Sequence, residues 1–101
     1  MRYRLRRIVC RARDRIPPRG DGALVLLYHR VADVTPDPWR LAVRPDHFDE
    51  HVDILARCAQ PTTSHGLRSM LATGRIRSGS VLVTFDDGYA DLATRALPAL
   101  R

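Results

Sequence analysis

The stretch Val81-Leu82-Val83-Thr84-Phe85-Asp86-Asp87-Gly88-Tyr89 is a short apolar run that ends on two adjacent carboxylates and a glycine. Residues 81–85 are β-branched, aliphatic and aromatic, the composition of a buried strand. In α/β domains such a strand ends in charge mainly where its carboxyl end opens onto a ligand crevice. Neighbouring carboxylates repel, and each is costly to desolvate without a partner. A bound cation removes both difficulties, so Asp86 and Asp87 at a strand end predict a divalent metal and a general base. Strict alternation would send their side chains to opposite faces. For both to serve one site the chain must leave strand geometry here, a bend that Gly88 permits.

Upstream, Ala23 to Tyr28 is a second continuous apolar run and reads as another buried strand, ended by His29 and Arg30. Residues 32–39, with Pro36 and Pro38, read as an irregular loop. Pro45 to Cys58 reads as a helix. Its proline suits a first turn, its acids cluster early, and Phe48, Val52, Leu55 and Ala59 form one apolar row. Pro61-Thr62-Thr63 breaks that helix. Ser64 can cap a short second one over residues 67–72, which Gly74 ends. Ser78-Gly79-Ser80 is a turn into the strand at 81–85. Asp91 to Leu97 begins a further helix, with Pro98 inside it or near its end. The order β–α–α–β–α predicts an α/β fold.

The same residues carry a family resemblance. TFDDGY at residues 84–89 resembles the first signature motif of the polysaccharide deacetylases, the NodB-homology family, which remove N-acetyl groups from sugar polymers. LVLLYHRV at Leu24 to Val31 resembles the opening strand of one branch of that family. LAVRPDHFDEHVDIL at Leu41 to Leu55 resembles its first helix, and DLATRALPAL at Asp91 to Leu100 the helix after the motif. The resemblance implies a distorted (β/α) barrel and a hydrolase acting on a carbon–nitrogen bond other than a peptide. It implies an acetylated polysaccharide or oligosaccharide as substrate and a divalent metal ion, zinc in the first place. Asp86 matches the family's catalytic base and Asp87 its metal-ligating aspartate. His29 stands where the related branch carries a Tyr-His pair; it either lines the substrate groove or is a satisfied structural histidine. Tyr89 either shapes the cleft or packs. Trp39 either stacks on a sugar ring or, the commoner use of a loop tryptophan, anchors the fold.

An α/β barrel commonly needs about 200–250 residues, and this chain has 101. We therefore read residues 23–101 as the N-terminal part of such a domain, incomplete here and inactive by itself, with an unpaired sheet edge and an uncovered apolar face. The family's histidine pair, H-x-x-x-H downstream of the aspartates, does not occur in the chain. A pair with that spacing, His47 and His51 in HFDEH, ends 35 residues before Asp86. HFDEH also fits the inverted zinc-protease pattern H-x-x-E-H, with Glu50 as base. Its place on the first helix argues for surface histidines instead. A haloacid-dehalogenase-type phosphohydrolase would need an aspartate where Phe85 stands. A receiver domain would carry its acidic pair near the N-terminus.

All seventeen basic residues are arginine. Residues 1–20 hold eight of them against Asp14 alone, while residues 21–101 hold nine against ten acids. The positive charge thus belongs to a tail and linker over residues 1–22. The body has no basic surplus to suggest nucleic-acid binding. Leu5, Ile8, Val9, Ala12 and Ile16 fall at helical spacing, so the tail can also be read as an amphipathic helix on an anionic membrane surface. A non-enzymatic, degenerate homologue acting through that tail, on membrane or nucleic acid, is the alternative function. Cys10 and Cys58 give no disulfide framework and read as incidental thiols. No signal peptide or membrane span is visible, which predicts a cytoplasmic protein or one peripheral to the inner membrane face.

Overall fold

The computed structural model describes residues 22–101. The basic tail and Cys10 lie outside the described residues, as do the membrane and nucleic-acid readings that rest on the tail. Five strands and three helices follow in the order β1 (Leu24–Tyr28), β2 (Arg30–Val31), β3 (Ala42–Val43), α1 (Pro45–Cys58), β4 (Gln60–Pro61), α2 (Ser64–Thr73), β5 (Ser80–Phe85) and α3 (Leu97–Leu100). A π-helical turn, Leu92–Ala96, leads into α3. The fold is α/β with parallel strands.

β1, β5 and β4 form one parallel sheet in that spatial order, so β5, which runs into the two aspartates, is its middle strand. β1 and β5 pair in register from Leu24 opposite Val81 to Tyr28 opposite Phe85. Leu26, Tyr28, Val83 and Phe85 therefore share one face. Phe48 of α1, only 1% exposed, packs there. Its ring meets Tyr28 edge-on at 5.1 Å between centroids and Phe85 at 6.0 Å, while Tyr28 stacks on Phe85 at 5.6 Å. Such pairs add to the area each ring buries. Ala96 and Val31 complete the buried cluster, with Val52 and Leu92 against it.

The opposite face is bare. Val25 and Leu27 alternate with the core positions of β1 and remain 52% and 51% exposed. The outer edge of β1 pairs with no strand among the described residues. Sheets buried on both faces read as continuous apolar runs, and β1 has that composition with only one face covered.

Local chemistry explains most boundaries. Pro45 occupies the first turn of α1, where a missing N–H costs nothing. Thr63, not Ser64, caps α2: its hydroxyl accepts from the Gly66 N–H at 3.0 Å, and the helix begins at Ser64. Gly74 closes it in the left-handed conformation at φ 68°. In the last segment the Leu97 N–H donates to the Leu92 carbonyl, an i→i+5 bond. The ring of Pro98 would clash with the carbonyl of residue 94 in a regular α-helix, and widening the preceding turn relieves that clash. Cys58 is not the free thiol read from the sequence; it is disulfide-bonded. Among the described residues no helix is long and apolar enough to cross a membrane.

Candidate functional site

The site is built by the carboxyl ends of β1 and β5. The Asp86 N–H donates to the Tyr28 carbonyl at 2.9 Å, prolonging the sheet by one bond beyond Phe85. His29 and Asp86 thus follow paired residues of adjacent parallel strands and lie level on one rim. No hydrogen bond joins their side chains. Immediately afterwards the backbone departs from strand geometry. Asp87 has φ 71° and Gly88 φ 61°, two successive left-handed residues. The expected bend is present, and it begins one residue before the glycine. Aspartate is among the few L-residues that visit this region routinely. The turn breaks strand alternation between Asp86 and Asp87, both of which are exposed. Their side chains make no hydrogen bond or ion pair among the described residues.

Around the turn lies a set of contacts that the motif does not announce. Arg30 makes a bidentate pair with Asp91, Nε to Oδ2 at 3.2 Å and Nη2 to Oδ1 at 3.3 Å. The Val31 N–H also donates to Asp91 Oδ2, at 3.2 Å. The Arg30 guanidinium lies 4.5 Å from the centre of the Tyr89 ring. Tyr89 therefore packs, against a cation. Hydrogen bonds from the Arg30 guanidinium hold the Asp91 carboxyl below the usual carboxylate range. The sequence carries no signal for this pair: Arg30 reads only as ending the first strand and Asp91 only as opening a helix.

Tyr28 links the rim to α1. Its hydroxyl shares a 3.0 Å hydrogen bond with His51 Nδ1, and burial pushes its phenol pKa up. His51 is exposed, as the surface reading expects, and in addition closes the polar end of the aromatic cluster through this bond. His47 is exposed. Trp39 does not anchor the fold, being 81% exposed. It projects from a turn in which Asp37 accepts from the Leu41 and Ala42 N–H groups, both at 3.0 Å. Leu41, at the end of that turn, accepts from the Arg30 N–H at 3.3 Å, which ties the turn to the rim.

No group of three His, Cys, Asp or Glu side chains suited to a metal occurs among the described residues. Asp86 and Asp87 supply two neighbouring carboxylates and not a complete cation site, since protein zinc sites use three or four ligands. A cavity of about 600 Å³ runs along β5 beside residues 61–64 and Leu100, but it stops at Phe85, short of both carboxylates.

The parallel sheet, whose middle strand ends in an Asp-Asp-Gly turn and which helices cover on one face, is an α/β fold, and its deacetylase-like character is supported by a solved structure. The chain is similar to the solved structure of IcaB from Ammonifex degensii, with a TM-score of 0.70 and 34% sequence identity over 80% of this chain. The match covers 34% of IcaB, so the chain spans about a third of that protein's length. No family model matches the chain, and no curated protein matches it by sequence.

Proposed function

We propose that this chain carries the N-terminal part of a carbohydrate deacetylase that hydrolyses the N-acetyl amide of an acetylated amino-sugar polymer. The observation that carries the reading is the pair Asp86-Asp87 at the carboxyl end of the middle strand of a parallel sheet, where α/β folds assemble their sites. The resemblance around TFDDGY and the likeness to IcaB over 80% of this chain support it.

In this proposal Asp86 is the general base. It takes a proton from the water that adds to the acetyl carbon; a proton is then delivered to the nitrogen as the C–N bond breaks, leaving acetate and the free amine. Asp87 is one ligand of a divalent cation, zinc in the first place, whose further ligands must come from outside the described residues. His29, level with Asp86 on the rim, contacts the sugar. Trp39, with its indole in solvent, offers a face on which a neighbouring sugar ring of the polymer can stack.

The test is acetate release from N-acetylglucosamine oligomers by the longest available form of the protein, with and without added zinc. Asp86→Asn keeps the shape and removes the base. It is expected to lower the rate by about 10²- to 10⁴-fold while leaving the fold intact. An Asp86→Asn protein as active as its parent would remove Asp86 from the mechanism.

A further inference from the structure

The turn from Asp86 to Asp91 is fastened at both ends to one short stretch of chain. At its start the Asp86 N–H bonds to the Tyr28 carbonyl, and at its end the Asp91 carboxylate accepts from the Val31 N–H. Between the two fastenings the backbone carries two successive left-handed residues, and its two carboxylates repel each other without any partner of their own among the described residues. Left to itself, such a turn would relax. The residues that oppose relaxation are Arg30 and Asp91. The Arg30 guanidinium binds the Asp91 carboxylate through both its oxygens, and its face packs on Tyr89, the residue next to Gly88. A forked, planar guanidinium fixes direction as well as distance, which an ammonium group does not.

We propose that Arg30 and Asp91 are positioning residues, a clamp that sets the direction in which the turn presents Asp86 and Asp87. This rests on the reading above that those two carboxylates perform the chemistry. The clamp itself contacts Tyr89 and the β2 backbone. The pair is half-buried, its side chains 29% and 14% exposed, and its forked contact fixes the direction of the turn as well as its distance.

The experiment compares the parent with Arg30→Lys, Asp91→Asn and the double variant. Lysine keeps the charge and loses the fork and the stacking; asparagine keeps the acceptor for the Val31 N–H and loses the charge. The first readout is amide hydrogen exchange in the 101-residue chain. Exchange at residues 87–90 is expected to quicken about tenfold or more in each single variant, with the β5 amides unchanged. The second is hydrolysis of an N-acetylglucosamine oligomer: kcat is expected to fall about tenfold or more at nearly constant KM. The double variant should be no worse than the poorer single one, because the two residues act as a unit. Unchanged exchange in the turn, acceleration that spreads equally through β5, or losses in kcat that add would each overturn the proposal. Should the longest available form of the parent, supplied with zinc, release no acetate, the deacetylase reading fails, and the exchange result in the 101-residue chain alone still decides the clamp.

Discussion

Asp87 gives the sharpest prediction, because its backbone and its carboxylate can be tested separately. At φ 71° an ordinary L-residue is strained by about 1 kcal/mol or more, aspartate and asparagine less, and glycine not at all. Glycine also loses more freedom on folding, about 0.5–1 kcal/mol, which offsets most of what it gains at this angle. Asp87→Asn and Asp87→Gly should therefore lie within about 0.5 kcal/mol of the parent, and Asp87→Ala about 1 kcal/mol below it. Asp87 is exposed, so packing does not disturb the comparison. For a unit of this size about 1 kcal/mol moves a melting midpoint by roughly 4–8 °C. All three variants lack the carboxylate and should lose acetate release together. Stability and activity then sort the same proteins differently, a pattern that general damage to the fold would not produce. Thermal and urea unfolding beside the acetate assay would measure both. An alanine variant as stable as the glycine one would refute the left-handed turn, and an active alanine variant would refute the role of the side chain.

Three further outcomes follow from the packing and the charges. His47→Ala should leave stability and hydrolysis unchanged, while His51→Ala loses the bond to Tyr28 and about 0.5–1.5 kcal/mol of stability without loss of rate; an inactive but folded double variant would restore HFDEH as a metal site. Hydrogen bonds from Arg30 and Arg44 hold Asp91 and Asp46 below the usual carboxylate range. The stability they give is complete above the unfolded pKa, about 4, and is lost as pH falls through the lowered folded values. Unfolding below about pH 4 should thus be blunted in Asp46→Asn/Asp91→Asn, and an unchanged acid limb would contradict the assignment. Trp39→Ala should weaken binding of long oligomers more than short ones and leave urea stability within about 0.5 kcal/mol, as an exposed substitution does; a large loss of stability would return the indole to an anchoring role.

The long elements were legible because each has a period or a punctuation mark. The bounds of α1 coincide with the reading at Pro45 and Cys58, and β1 and β5 with their apolar runs to within one residue. The two-residue strands β2, β3 and β4 are too short to show any alternation. Pro61 even reads as a breaker, yet it sits in β4. The pairing there uses the N–H groups of Gln60 and Thr62, to Gly79 and Val81, so the missing N–H of Pro61 is not needed. At the site, the motif pointed to Asp86, Asp87 and the bend. It was silent on Arg30 and Asp91, sixty-one residues apart in the chain and joined only by the parallel pairing of β1 with β5. Trp39 was misjudged because composition says which residues can anchor a loop, and only the path of the loop says which one does.

Tyr28 makes one further consequence plain. Its carbonyl holds the first amide of the turn at residues 86–88, its ring is packed by Phe48, and its hydroxyl reaches His51. The rim is therefore tied, through Tyr28 and Phe85, to the thermal behaviour of helix α1. Losing the Phe48 ring removes about 3–5 kcal/mol from the cluster behind Tyr28. A milder truncation such as Phe48→Leu would keep the turn in place when cold and release it on warming. In a genetic screen, conditional, temperature-sensitive alleles should then collect on the inner face of α1, whereas changes at Asp86 are null at every temperature.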